Sequence, residues 1–63
     1  MAQYIVKFSG GSAPGRHREI FDSLQAAQSF AVSHGLRNKA DTAAAYEVDK
    51  DGNEIGEPHL VKF

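Results

Sequence analysis

Residues 22–35 read DSLQAAQSFAVSHG, and the architecture follows from the spacing of their apolar positions. Leu24, Ala27, Phe30 and Ala31 recur at intervals of three and four, which is one face of an α-helix, while Gln25, Gln28, Ser29 and Ser33 fall mostly away from it. Asp22 and Ser23 each offer a side-chain oxygen to the free amides of a first turn, and Asp22 with Gln25 has capping-box spacing. Gly35 suits the left-handed position that closes a helix, with Leu36 folding back on the last turn. The pattern predicts a helix over about 24–34.

Upstream, residues 3–9 alternate, Tyr4, Val6 and Phe8 against Ile5, Lys7 and Ser9, which is the period of a half-buried strand. GGSAPG at 10–15 holds no regular structure and reads as a flexible connection. RHREIF at 16–21 alternates weakly and pairs with the first strand as a long-looped hairpin. Downstream, TAAAYEVD and EIGEPHLVKF flank Asp51-Gly52, a tight-turn signal, and form a second hairpin. The three alanines favour helix intrinsically, so this third strand starts either at Ala43 or only at Ala45. Gly56 and Pro58 make the last strand bulged or an edge. The sum is a single α+β domain over 1–63, an antiparallel sheet of three to four strands with one helix on one face in ββαββ order. Leu24, Ala27, Phe30 and Ala31 are expected to meet Tyr4, Val6, Phe8, Tyr46 and Val48, leaving the other sheet face uncovered.

Sixty-three residues make one thin core, since nine of the apolar residues are alanines. Such a domain is expected to gain buried area from a partner or from self-association. The absence of cysteine excludes disulfides and thiolate metal sites. The start MAQYIVKF lacks the pattern of a signal peptide and no segment has the length of a membrane span, so a cytoplasmic protein with no membrane partner is expected. The net charge of −1 hides a division: residues 1–40 carry five bases against two acids, and residues 41–57 carry six acids against one base. That polarity favours oriented docking over general polyanion binding.

The chemistry-bearing residues are sparse. His17, His34 and His59 are too far apart in sequence for a zinc motif and read as ordinary strand or helix-end residues, so no metal ligand is assigned. Serine, histidine and aspartate occur without a nucleophile elbow, and no catalytic residue or cofactor is expected. DKDGNEIGE lacks the spaced ligands of a calcium loop, and GGSAPGR lacks the lysine of a phosphate-cradling loop. What remains is protein binding through Arg16, Arg18, Arg37 and Lys39 on one side and Glu47, Asp49, Asp51, Glu54 and Glu57 on the other. The alternative is a small single-stranded nucleic-acid-binding domain using Arg16, Arg18 and neighbouring strand residues, with Tyr4 and Phe8 stacking bases. It ranks lower because the domain has no basic excess.

The succession YIVKF (4–8), a basic hairpin, FDSLQAAQSFA (21–31) and YEVDKDGNEI (46–55) resembles the short ββαββ proteins of bacteriophages and other mobile elements, including anti-CRISPR proteins and host-takeover inhibitors. The resemblance spans nearly the whole chain and rests on element order and the helix opening. It implies a non-enzymatic protein that binds and blocks a host enzyme, such as a nucleic-acid-handling or defence enzyme. It carries no site residues onto this sequence.

Overall fold

The structure is a computed structural model and describes residues 2–63. Among them the elements follow as β1 (Gln3–Ser9), β2 (Gly15–Arg16), α1 (Leu24–Arg37), β3 (Thr42–Val48) and β4 (Glu54–Val61). The strands form one antiparallel sheet in the order β2-β1-β3-β4, and α1 packs on one face of it. This is the expected α+β domain in ββαββ order.

The centre of the sheet is β1 against β3, in register from Gln3↔Val48 to Ser9↔Thr42. Val6↔Ala45 and Phe8↔Ala43 are adjacent pairs on the helix side, where they meet Ala27 and Ala31. Val6, Ala27, Ala31 and Ala45 are fully buried. Small side chains on both layers permit a close approach of helix to sheet, while Tyr4, Phe21, Leu24 and Phe30 pack around that contact. The alanine run 43–45 is therefore strand throughout, its helix propensity overridden by two-sided pairing with β1 and β4. Alternation then turns Tyr46 and Val48 to the opposite face, so they do not meet the helix as expected.

The helix also ends differently from the sequence expectation. Ser23 is the N-cap, its hydroxyl accepting from the Ala26 amide at 3.1 Å. Gly35 is helical and buried, and a Cβ there would overlap the Phe63 ring packed against it. The helix runs on to Arg37, and the left-handed residue is Lys39, with φ 57°. The Lys39 and Ala40 amides donate back to the Leu36 and Gly35 carbonyls at 3.3 and 2.9 Å, which is a Schellman closure.

The second strand is shorter than the alternation in 16–21 predicts. The His17 amide donates to the Val6 carbonyl at 2.9 Å, after which the Glu19 amide donates to His17 Nδ1 and leaves the ladder. Pairing resumes at Phe21, which exchanges two 2.8 Å bonds with Tyr4. The connection 10–15 is not free either. Gly11, with φ 75°, lies where a Cβ would overlap the Asn38 carbonyl, and the Ser12 amide donates to that carbonyl at 2.9 Å.

Strand β4 is both bulged and at an edge. Ala45↔His59 and Glu47↔Ile55 leave Tyr46 facing residues 56–58, where Pro58 supplies no donor. The face away from the helix is not bare, contrary to expectation. Ile5, Ala44 and Val48 are buried there without any helix above them. Lys7 crosses this face, its Nζ 4.8 Å from the centre of the Tyr46 ring and paired with Glu54 on β4. Arg16, cross-strand neighbour of Lys7, sends Nη1 to within 3.4 Å of the Gly52 carbonyl. Two like charges directly opposite repel. Here each finds its own acceptor in the β3–β4 hairpin.

Candidate functional site

Two histidines that the sequence separates are brought together between the β2 arm and the helix. Alternation along 16–17 puts Arg16 on the Lys7 face and His17 on the helix side. Helical spacing places His34 one turn beyond Phe30, so their rings stack at 4.9 Å with 18° between planes. The His17 ring sits 4.7 Å from Phe30 and edge-on to His34 at 5.0 Å, and Phe8 lies 5.1 Å from His34. An open cleft of about 340 Å³ lies here, lined by residues 13–18 together with Phe8 and His34.

The hydrogen bond at His17 decides what the cleft can do. Its Nδ1 accepts from the Glu19 amide at 3.1 Å, so in the neutral ring the proton sits on Nε2. An Nε2 metal ligand needs the proton on Nδ1, where it would face the Glu19 N–H. Among the described residues no group of three or more His, Asp or Glu side chains converges for a metal ion. Reading the three histidines by sequence spacing misses this pair. The signals that point to it are the alternation of His17 with Phe21 and the four-residue step from Phe30 to His34.

The residues expected to bind a partner are distributed over the surface rather than gathered. Arg16, Arg18, Arg37 and Lys39 are all exposed; Arg16 also reaches Gly52, and Lys39 also serves as the left-handed helix closure. Asp51 and Glu57 are exposed, and Glu47 is half-buried on the helix side of the sheet, opposite Tyr4. Glu54 is engaged by Lys7. Asp49 holds the β3–β4 turn: its Oδ1 accepts the Asn53 and Asp51 amides, each at 2.9 Å. These bonds, the Asn53 amide foremost, draw its carboxyl below the usual value of 3.8. The strand order sets β2 and β4 at opposite edges of the sheet, but the Arg16 side chain reaches across to the Gly52 carbonyl in the turn that precedes Glu54.

Strand β4 leaves one backbone edge unpaired within the sheet, and from Glu54 to Leu60 every residue is exposed. Leu60 is 76% exposed and Ile55 43%. By register Leu60 lies on the Lys7 face beside Ala44, next to a shallow depression of about 180 Å³ that Ser9, Thr42 and Tyr46 also line. Tyr4 and Phe8 are turned toward the helix, and Phe8 is 6% exposed, so bases cannot stack on it. No helix among the described residues is long and apolar enough to cross a membrane. No protein-family model, curated protein or solved structure matches the chain.

Proposed function

We propose that this chain is a non-catalytic protein-binding module that docks through the β4 edge and the adjoining Leu60 surface. The observation that carries the reading is the exposure of Leu60, at 76%, on an edge strand with an open row of backbone groups. An apolar anchor beside unpaired strand backbone offers both components of partner recognition, side-chain burial and main-chain hydrogen bonding. The bulge at 56–58 and Pro58 limit indiscriminate pairing along this edge. Glu57, together with Asp51 on the preceding turn, gives the edge an acidic rim, which favours a partner with a basic groove. A nucleic-acid-handling enzyme has such a groove, and occupying it would block the enzyme, the role that the resemblance in element order implies.

Photo-crosslinking from position 60, with position 25 on the exposed side of α1 as control, tests the reading in lysate of the source cell. A discrete adduct from position 60, absent from position 25 and competed away by unlabelled protein, is expected. Equal labelling from both positions, or none from either, overturns it. An adduct with a second copy assigns the edge to self-association instead.

A further inference from the structure

We infer that the cleft between the β2 arm and the end of α1 is a binding site for a small organic anion, a carboxylate or phosphate carried on one planar ring. The cleft, at about 340 Å³, has the volume of a small-ligand pocket. Among the described residues its lining contains no carboxylate side chain, although the chain as a whole has more acids than Lys and Arg. Three bases line it with donor capacity to spare. His17 Nε2–H is left as a donor because the Glu19 amide occupies Nδ1. Arg18 and His34 make no side-chain hydrogen bond or ion pair among the described residues. Arg16 contributes no such donor, since its guanidinium is turned to the other sheet face at Gly52.

The planar part of the ligand follows from the rings. The half-buried rings of His17 and His34 line the cleft, with the buried Phe8 beside His34 and Phe30 stacked behind it to hold it in place. A flat ring packs against such a surface with stacked or edge-to-face contacts. The end of a helix ordinarily repels an anion. Here that effect is reduced, because the Gly35 and Leu36 carbonyls are closed by the Ala40 and Lys39 amides and the His34 carbonyl accepts from Asn38 Nδ2.

The test is an amide and imidazole NMR titration of the intact chain at low salt with benzoate and phenyl phosphate. Benzyl alcohol controls for the ring without charge, and inorganic phosphate for charge without the ring. Saturable shifts at Gly15, His17, Arg18 and His34 are expected with at least one ring-bearing anion, and the tighter of the two identifies the carboxylate or phosphate source. Arg18→Gln, an exposed position that leaves the core intact, should weaken binding on the order of tenfold through loss of a charge-assisted bond. His34→Gln should weaken it as well, with its thermal transition recorded alongside to confirm folding. Linear, unsaturable shifts overturn the inference. So does binding of benzyl alcohol or inorganic phosphate as tight as that of the ring-bearing anions, or an Arg18→Gln affinity equal to wild type.

Discussion

The two faces of the sheet bury apolar surface by different means. On one, Val6, Phe8, Ala43 and Ala45 are covered by a regular element whose own alanines let it approach closely. On the other, Ile5, Ala44 and Val48 are buried with no helix above them, and the long side chains of Lys7 and Arg16 cross to the β3–β4 hairpin. Close packing makes the first face rigid and intolerant of volume change. A cover of flexible charged side chains gives the second little stability of its own, because partly exposed ion pairs contribute little. The helix face is thus where the two layers are held together, and on the second face it is the charged cover, not the fully buried Ile5, that can change with little effect on folding.

The sharpest way to break this contrast is Phe30→Ala, which removes the ring that Phe21, His17 and His34 all contact within 5.0 Å. A loss of about 3–5 kcal/mol is expected, enough to abolish the cooperative urea transition of a domain this small. Retention of that transition would show that the helix face is not the principal core. Next in size is Ala31→Leu, at a fully buried position packed against the sheet. Overpacking should cost about 1–3 kcal/mol, read as a lowered denaturation midpoint with an unchanged slope. On the opposite face, Lys7→Gln, Glu54→Gln and the double variant form a cycle whose coupling should be below about 1 kcal/mol and should fall with salt. A coupling comparable to the Ala31→Leu effect would erase the difference between the faces.

The smallest effect is a pH dependence at the turn. The carboxyl of Asp49 is drawn below its usual value of 3.8 in the folded state, so its contribution to stability is present above that value and lost as pH falls through the lowered one. Acid titration followed at the Asp51 and Asn53 amides should show their bonds to Asp49 released below about pH 4, before or together with global unfolding. Asp49→Asn should flatten that response, and an unchanged acid profile in the variant would remove Asp49 as its cause.

How much of this was legible in sequence depends on how local each determinant is. The helix is legible because Leu24, Ala27, Phe30 and Ala31 carry its period within one segment. Its end is not, because the reason for Gly35 is the ring of Phe63, delivered by the residues that follow β4. The facing of β3 is ambiguous because AAAYEV offers apolar residues at both parities, and the close approach of the helix selects Ala43 and Ala45 over Tyr46 and Val48. The charges of Arg16, Asp49 and Glu54 are visible in the sequence, but not their engagement by Gly52, the turn amides and Lys7. The His17–His34 contact arises where strand and helix cross, and neither segment predicts it without the other.

The pairing of β1 with β3 has a consequence for the order in which the molecule assembles. The hairpin of β3 and β4 closes over a short turn, but the sheet's central ladder joins segments separated by the whole of β2 and α1. Even its pair nearest in sequence, Ser9↔Thr42, closes a long intervening chain, and that entropy must be offset before the ladder can grow. Non-local topology of this kind slows the search for the native state. The rate-limiting event should therefore be the meeting of β1 with β3, with the hairpin formed beforehand as a template that gains its lasting stability only when β1 arrives.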